Sequence, residues 1–368
     1  MRILFLTWRD VGHPDGGGSE VFVEQVARGL VARGHDVRVR CARYPGSESV
    51  SVVDGVRFER AGGRLTVYPR GLLHLLGREG RRTDVVVDVI NGLPFAARVV
   101  RRRGLVALVH HVHREQWHLI YPGLGGRVGW FVESRLTPRL YRSVPHLTVS
   151  ESTRADLRAL GIVHPEIRVV RNGLTPRRRV PETDRSSTPR LCVLARLVPH
   201  KRIEQAFAVV AALADEHPGL ALDVIGEGWW RGELEAAAAR LGVADRVVFH
   251  GHVNDDQRDR LLGTAWVALM PSVKEGWGIA ATDAAAQGTP TVAYRQAGGV
   301  RESIQDGTTG VLVDDEVGLL AAVRALLEDP ELRRRMSTAA EAYAATLTWE
   351  DATERVESLL LHVAADEN

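Results

Sequence analysis

The segment that decides the fold reads PSVKEGWGIAATDAAAQGTPTV and covers residues 271–292. The apolar run at 267–271 predicts a buried strand, and the turn around Gly276 leads into a predicted helix at 280–287. Another strand is predicted at 291–294. A strand that passes through a glycine-rich turn into a helix and then a further strand is typical of a doubly wound α/β domain.

The same alternation of strands and helices extends through both halves of the chain. In the N-terminal half it predicts strands at 2–7, 36–41, 85–90, 105–109, 146–149 and 167–170, with helices at 19–33, 94–103, 127–141 and 152–160. In the C-terminal half it adds strands at 191–195, 221–225, 247–250 and 310–313, with helices at 203–216, 233–241 and 317–327. Two Rossmann-like domains therefore follow one another.

Proline and polar residues break this alternation at 172–190, and we interpret that stretch as a linker. The length of 368 residues also exceeds what one hydrophobic core usually supports. We therefore predict an N-terminal domain at 1–172, a C-terminal domain at 173–346 and a final helical segment at 347–368. Because ligands bind at the carboxyl ends of parallel strands, we expect the two domains to face each other across a cleft.

Composition excludes several classes of protein. The formal net charge of +2 is too balanced for a nucleic-acid-binding chain, and no apolar run is long enough for a transmembrane helix. Met1 leads directly into a strand, so we expect no signal peptide. Cys41 and Cys192 lie in apolar runs and predict buried thiols in a reducing compartment. We expect a cytoplasmic protein. Peripheral contact with the inner membrane face is the less favoured alternative, and the segments 98–103 and 71–82 are the candidates for that contact.

Lysine is rare among the basic residues. Lys201 and Lys274 are the two lysines, and arginine supplies the other 46 of the 48 basic residues. Lys201 ends the segment 195–201, directly after the first strand of the C-terminal domain. A compact ammonium in such a turn indicates a specific anion as its partner.

The turn after residue 271 offers a second anion site. Free N–H groups and the positive end of the helix near Gly278 favour a phosphate. Glu275 is placed to accept bonds from sugar hydroxyls, and Asp283 to reach a ribose. The alternative is an ordinary strand–turn–helix in which Glu275 only complements the helix dipole.

Taken together, the segment at 271–292 resembles the E-x7-E signature and following Gly-Thr-Pro of the retaining GT-B glycosyltransferases of family 4. The resemblance extends from Gly17-Gly18 to the helix at 349–361, which in the family crosses back to the N-terminal domain. Asp283 stands where the pattern has Glu. Its side chain is shorter by about 1.5 Å, so the implied contact with ribose is weaker or passes through water.

The resemblance implies a role for each matching residue. Arg196 and Lys201 bind the diphosphate, Glu275 holds the donor sugar, and His110 orients it, with His111 and His113 as alternatives. The implied donor-binding residues are Gly17, Gly18, Gly226, His252, Val253, Gly276, Trp277, Gly278, Ile279 and Asp283.

The implied reaction is same-face displacement from a nucleotide diphosphate sugar, which is a co-substrate; no cofactor and no metal are expected. The acceptor is a sugar, a lipid-linked molecule or another small molecule. Within the same architecture, a sugar phosphorylase or an epimerase remains an alternative, and so does a catalytically silent nucleotide-sugar-binding protein. A NAD dehydrogenase is excluded because the dinucleotide fingerprint is missing.

Three further features receive hypotheses of their own. Ser150 is predicted to cap the helix that follows it, and Asn172-Gly173 to mark a hinge. The aromatic residues Trp117, Tyr121 and Trp130 either line an acceptor pocket or pack in the core.

Overall fold

The computed structural model describes residues 1–121, 123–176, 180–181 and 185–365. It divides into two compact units, Leu174–Leu347 and a discontinuous unit that combines Met1–Gly173 with the C-terminal segment from Thr348. We call the discontinuous one the first unit and the other the second unit. Residues 177–179 and 182–184 of the predicted linker lie outside the described residues.

The first unit is built on an eight-stranded sheet in the order β3-β4-β2-β1-β5-β6-β7-β8. Its strands are β1 (Arg2–Leu6), β2 (Asp36–Cys41), β3 (Val50–Val53), β4 (Val56–Arg60), β5 (Val85–Val89), β6 (Leu105–Val109), β7 (His146–Thr148) and β8 (Ile167–Val169). All pairs are parallel except β3 with β4. Its helices are α1 (Gly18–Ala32), α2 (Val67–Leu76), α3 (Arg78–Arg81), α4 (Arg114–Ile120), α5 (Leu124–Phe131), α6 (Thr137–Tyr141), α7 (Glu151–Ala159) and α15 (Trp349–Ala365).

The second unit holds a six-stranded, fully parallel sheet in the order β11-β10-β9-β12-β13-β14. Its strands are β9 (Arg190–Leu194), β10 (Ala221–Ile225), β11 (Val247–Gly251), β12 (Val267–Met270), β13 (Thr291–Tyr294) and β14 (Gly310–Val313). Its helices are α8 (Glu204–Leu213), α9 (Arg231–Arg240), α10 (Asp255–Thr264), α11 (Ile279–Ala286), α12 (Val300–Ser303), α13 (Glu316–Glu328) and α14 (Pro330–Ala344). This strand order is that of a Rossmann-type sheet. Successive strands are added on one side from β9 to β11 and on the other side from β12 to β14, so the strand order reverses between β9 and β12.

The predicted helix at 94–103 is wrong: a single 3-10 turn, Ala97–Val99, stands in its place. Asp88, fully buried on β5, accepts hydrogen bonds from the backbone N–H groups of Phe95 and Ala97. Ala96 between them has φ +58, in the left-handed region. Because the left-handed backbone at Ala96 interrupts a right-handed helix, the helix does not form.

The β3–β4 hairpin was not predicted from the sequence. Its turn is Asp54-Gly55, and both residues have positive φ, +48 and +80. Asp-Gly between the valine-rich run 50–53 and the alternating apolar and polar run 56–60 is the preferred dipeptide of a tight hairpin turn, so the signal was present in the sequence.

The predicted cap and the predicted return of the C-terminal helix are both confirmed. Ser150 Oγ accepts the N–H of Thr153 at the start of α7. Helix α15 packs on α1, where a Cβ on Gly29 would lie 2.3 Å from Thr353 Oγ1, so the small glycine allows the close approach of the two helices. His35, just after α1, contacts Glu357 of α15 at 2.7 Å.

Candidate functional site

In the second unit, the turns that follow β9 and β12 meet where the strand order reverses. Lys201 lies in the turn after β9, and Glu275 in the turn after β12. Lys201 Nζ donates to Glu275 Oε1 at 2.5 Å, and the two side chains are 16% and 14% exposed. The structure therefore brings together two of the residues that were predicted from separate segments, at the edge where ligands of such sheets bind.

The backbone around Glu275 is fixed by hydrogen bonds on both sides. Val273 N donates to His200 O at 2.9 Å, Glu275 N donates to Ala297 O at 2.7 Å, and Gly299 N donates to Glu275 O at 3.0 Å. A Cβ on Gly299 would lie 1.9 Å from the carbonyl oxygen of Gly276, so only glycine fits there. This position received no role from the sequence, although the pair Gly298-Gly299, which follows the 3-10 turn Arg295–Ala297 after β13, was a visible signal.

The predicted donor-binding turn forms the start of α11. Gly278 is its N-cap, with φ +102, and Ile279 is its first residue. Trp277 is 2% exposed, and its Nε1 has no hydrogen-bond partner among the described residues. Asp283 lies one turn into the helix and is 8% exposed.

The turns after β9 and β10 pack closely on each other. Gly226 has φ +128, and a Cβ there would lie 2.1 Å from Ala195 O. Leu197 N donates to Glu227 O at 2.9 Å, which ties the two turns together around the half-buried Arg196. The position of Arg196 therefore depends on a glycine in the neighbouring turn.

A surface cavity of about 310 Å³ lies beside the end of β11. Its lining consists of His250, His252, Val253, Gln257, Arg260 and Leu261. Buried Asp223 accepts a bond from His250 Nε2 at 2.7 Å and a second from Arg190, so the imidazole of His250 is held in place. The volume is at the lower end of the range for small-molecule pockets.

In the first unit, Glu20 joins three segments at the carboxyl end of the sheet. Its buried carboxylate pairs with Arg9 Nε at 2.8 Å and accepts the N–H of Gly17 at 2.8 Å. It also accepts bonds from Ser19 Oγ at 2.7 Å and Asn91 Nδ2 at 3.4 Å. Glu20 received no role from the sequence. Its spacing from Gly17 is that of an N-cap and N3 glutamate, which was the available signal.

His110 follows β6 and is 5% exposed. Burial lowers its pKa to about 4, so the imidazole is neutral at pH 7. Its ring stands edge-on to Phe22 with centroids 5.3 Å apart, and its carbonyl accepts the hydroxyl of Thr153. Nε2 is buried without a hydrogen-bond partner among the described residues, which leaves one polar atom available to a ligand.

The two neighbouring histidines are engaged elsewhere. His111 Nε2 lies 3.3 Å from Gln116 Oε1, and His113 Nδ1 lies 2.9 Å from Glu133 Oε1. Glu133 is buried in a π-helical turn, Val132–Leu136, and also accepts the indole N–H of Trp117 at 2.7 Å. These contacts hold α4 against the helical run that begins with α5. Of the three histidines, His110 is thus the one with a buried ring nitrogen that lacks a partner among the described residues.

Two family models match consecutive parts of the chain. One, described as glycosyl transferase 4-like domain, covers residues 17–173, and the other, described as glycosyl transferases group 1, covers 177–343. A glycogen synthase from Mycobacterium tuberculosis is 29% identical over 92% of this chain and 89% of its own length. A D-inositol 3-phosphate glycosyltransferase from Acidothermus cellulolyticus is 31% identical over 94% and 85%. The chain belongs to the group 1 glycosyltransferases, family 4.

Solved structures share the fold of this family 4 glycosyltransferase. A sucrose-phosphate synthase from Thermosynechococcus elongatus matches with a TM-score of 0.82 and 19% identity over 99% of both chains. HepE from Anabaena, solved in complex with UDP and glucose, matches with a TM-score of 0.77 and 19% identity, over 98% of this chain and 100% of its own. The predicted GT-B fold, family and enzyme class are confirmed, and the transferase takes its sugar from a nucleotide sugar.

Within the described part of the glycosyltransferase, one group of side chains offers metal ligands close together: Glu216, His217 and Glu328, with ligand atoms within 4.8 Å of one another. Glu216 and His217 follow α8, and Glu328 is the last residue of α13, away from the carboxyl ends of the strands. Glu216 already pairs with Arg324 at 2.9 Å. This group therefore has no connection with the turns predicted to bind the donor.

None of the helices that the structure describes in this glycosyltransferase has the length and apolar character needed to cross a membrane. Of the two segments named for peripheral contact, 71–82 exposes Leu73 and Leu76, at 67% and 50%. In 98–103, Arg101 is occupied by the backbone oxygens of Thr83 and Asp84. Peripheral membrane contact stays a prediction.

Proposed function

We propose that this glycosyltransferase transfers a sugar from a nucleoside diphosphate sugar to an acceptor hydroxyl with retention of anomeric configuration. The observation that carries the proposal is the contact between Lys201 and Glu275. It places a cation suited to the leaving diphosphate beside a carboxylate suited to the sugar hydroxyls, at the strand-order reversal of the second sheet.

In the proposed step, the bond between sugar C1 and the diphosphate oxygen breaks, and the acceptor oxygen bonds to C1 on the same face. The acceptor proton passes to the departing diphosphate, so the step needs no protein nucleophile and no metal. Arg196, Lys201 and the N-terminal end of α11, which begins at Ile279, stabilise the charge that grows on the diphosphate.

Glu275 and His110 act on the donor sugar in this scheme. Glu275 accepts bonds from its hydroxyls. His110 orients the sugar or bonds the 6-position. The neutral state of His110 supports a hydrogen bond from or to its imidazole rather than the donation of a proton by an imidazolium.

The remaining predicted residues bind the nucleotide. The main chain of His252 and Val253, at the cavity beside β11, contacts the base, and Asp283 contacts the ribose. The other positions act through close backbone approach to the phosphates and sugar: Gly17, Gly18, Gly226, Gly276, Trp277, Gly278 and Ile279. HepE was solved with UDP and glucose, which makes UDP-glucose the first donor to test.

The test begins with binding and ends with products. Thermal shifts with UDP, GDP, ADP and dTDP identify the base, because a ligand that binds the folded state raises the melting temperature. The protein is then incubated with the matching nucleotide sugars, with and without EDTA, and the products are analysed by NMR. We expect slow transfer of the sugar to water, and the released sugar should keep the anomeric configuration of the donor. EDTA should not change the rate of this release. Phosphorolysis, epimerisation, an inverted product or binding without turnover would contradict the proposal.

A further inference from the structure

The imidazole of His110 is held by packing. Its Nε2 is buried without a hydrogen-bond partner, and the other ring nitrogen forms no hydrogen bond or ion pair with the described residues. The backbone is fixed separately, because the carbonyl oxygen of His110 accepts the hydroxyl of Thr153 at 3.0 Å. A hydrogen bond to one ring nitrogen commonly fixes the orientation of a functional imidazole. For His110 the orientation must come from the side chains that pack against the ring.

Phe22 supplies an oriented packing contact. It lies on α1 and is 1% exposed. Its ring stands edge-on to the imidazole of His110, with centroids 5.3 Å apart and an angle of 81° between the two planes. Aromatic pairs favour this edge-to-face arrangement over a face-to-face one. A rotation of the imidazole about its own axis would lose the arrangement, so the contact selects one plane for the ring.

A third ring, that of Trp349, packs on Phe22. The two centroids are 6.1 Å apart, and the planes are inclined at 66°. Trp349 is the first residue of α15, and its backbone is fixed on both sides. A Cβ on Gly173 would lie 2.3 Å from Trp349 N, and Trp349 O accepts the hydroxyl of Thr353 at 2.7 Å. The ring series Trp349–Phe22–His110 therefore runs, within the first unit, from the start of α15 to the end of β6.

We propose that Phe22, supported by Trp349, is a positioning residue that sets the plane of the His110 imidazole toward the donor sugar. Phe22 is too deeply buried to contact a ligand itself, so its effect passes through His110. The packing fixes the plane of the ring and leaves its tautomer to the ligand, because no described group holds either nitrogen. The imidazole can thus donate a hydrogen bond to a sugar hydroxyl or accept one from it. The inference rests on the proposed function, in which His110 orients the sugar.

The mobility of the imidazole is measured first, without catalysis. The protein is labelled with ¹³C,¹⁵N-histidine, and NMR relaxation gives the order parameter of the ring C–H bonds. The chain has 14 histidines, so the His110 signals are assigned by their absence from the spectrum of His110→Gln. In Phe22→Leu we expect the order parameter of His110 to fall below about 0.6, the range of a flexible group.

Phe58→Leu is the matched control for Phe22→Leu. Phe58 is also buried, at 3% exposed, but it lies on β4, which β2, β1 and β5 separate from β6. This variant should leave the order parameter of His110 unchanged. Trp349→Phe should keep the wild-type value, since an aromatic ring remains, while Trp349→Leu should lower it. If Phe22→Leu does not fold, Trp349→Leu, at a half-buried position, takes its place in both measurements.

Turnover then tests whether the orientation of the ring matters. With a nucleotide sugar that the wild type hydrolyses, Phe22→Leu should lower kcat about 10-fold and leave the KM for the donor nearly unchanged. The decisive comparison is a double-mutant cycle with His110→Gln. If Phe22 acts through His110, adding Phe22→Leu to His110→Gln should change kcat by no more than about twofold. Any loss from Phe58→Leu should be the same with and without His110.

Each failure points to a different error. A wild-type order parameter in Phe22→Leu overturns the positioning role, and so does an additive loss in the cycle, which would show a general effect on the fold. Equal losses in Trp349→Phe and Trp349→Leu remove Trp349 from the ring series. If the donor is turned over but His110→Gln matches wild type, this inference is overturned and the transfer stands. If no nucleotide sugar is turned over, the proposed function fails, while the order parameters still decide whether Phe22 holds the ring.

Discussion

Lys201 and Glu275 are opposite charges held at 2.5 Å, so each sets the electrostatic surroundings of the other. Lys201→Ala removes a point charge from the proposed diphosphate site and also leaves a mostly buried carboxylate without its cation. We expect a loss of at least 100-fold in kcat/KM for the donor with the fold intact, because the missing interaction strengthens as the diphosphate leaves. Steady-state kinetics and circular dichroism measure both effects.

Lys274→Ala is the matched control, since Lys274 is the other lysine of the chain and is adjacent to Glu275. It should retain donor kinetics within about threefold of wild type, as expected of a substitution that removes no contact made in the transition state. Equal losses in the two variants would show a general effect of positive charge and remove the assignment of Lys201 to the diphosphate.

Asp283 is the position where the chain departs from the family pattern, and its side chain is buried. Asp283→Ala is expected to weaken nucleotide binding by about 1–3 kcal/mol, because ribose hydroxyls would lose their partner in a partly dry site. Asp283→Glu should retain or improve binding. Titration with ribose and 2′-deoxyribose nucleotides tests the contact: if wild type and Asp283→Ala discriminate them equally, Asp283 does not bind the ribose.

At the scale of elements, the turn that carries Glu275 depends on the neighbouring Gly298-Gly299 turn after β13. Gly299→Ala would place a Cβ 1.9 Å from Gly276 O, so one of the two turns must move. We expect at least a 10-fold loss of donor turnover, since small displacements of positioning groups are costly in catalysis.

Gly232→Ala provides the comparison for that variant, because Gly232 lies in α9 with open space around its Cβ position. It should keep activity, and the better helix propensity of alanine should raise stability by up to about 1 kcal/mol. Unchanged turnover in Gly299→Ala would show that the two turns are not coupled.

The elements that sequence predicted best are those whose signal is local. The buried strands β5 and β6 are nearly continuous apolar runs, and Ser150 has the type and position of an N-cap. The helix expected at 94–103 failed because Ala96 takes a left-handed conformation between two N–H groups that bond to Asp88 of β5. Tertiary hydrogen bonds of this kind leave no periodicity to read.

The residues of the candidate site also divide into those with a signal in the sequence and those that depend on tertiary contacts. Lys201 and Glu275 were found from composition and from family resemblance, and the structure then placed them in contact. The role of Glu20 and the closeness of Gly299 to Gly276 depend on distances between separate turns. Such distances are absent from a single sequence, and glycine and glutamate are too common for their type alone to reveal them.

At the scale of the whole molecule, buried ionisable groups predict how stability depends on pH. Burial lowers the pKa of both His110 and His146 to about 4, below the usual value of 6.5. Between pH 6.5 and 4, these histidines therefore bind protons in the unfolded chain and stay neutral in the folded chain. The stability present above pH 6.5 is lost as the pH falls through this window. Each histidine contributes on the order of 3 kcal/mol. Asp88 acts in the opposite sense, since burial raises its pKa to about 6. Its contribution to the stability of the fold therefore falls as pH rises.

Urea unfolding at pH 4.5 and pH 7 checks this balance. The wild type should be less stable at pH 4.5, and His110→Gln should reduce the difference between the two pH values. His252→Gln is the control, because His252 is exposed and should leave the difference unchanged. A pH dependence that is the same in all three proteins would contradict the assignment of a neutral, buried His110.

The discontinuity of the first unit has a consequence for synthesis on the ribosome. Helix α15 is translated after the whole of the second unit, yet it covers α1, where Gly29 meets Thr353 and Phe22 meets Trp349. The whole of Leu174–Leu347 is translated in between, which takes roughly 10–35 s at ordinary elongation rates. During that time the second unit can emerge and fold while α1 still waits for its cover. A nascent chain thus exposes the apolar face of α1 until α15 has left the ribosome, and exposed apolar surface of this kind is what chaperones bind.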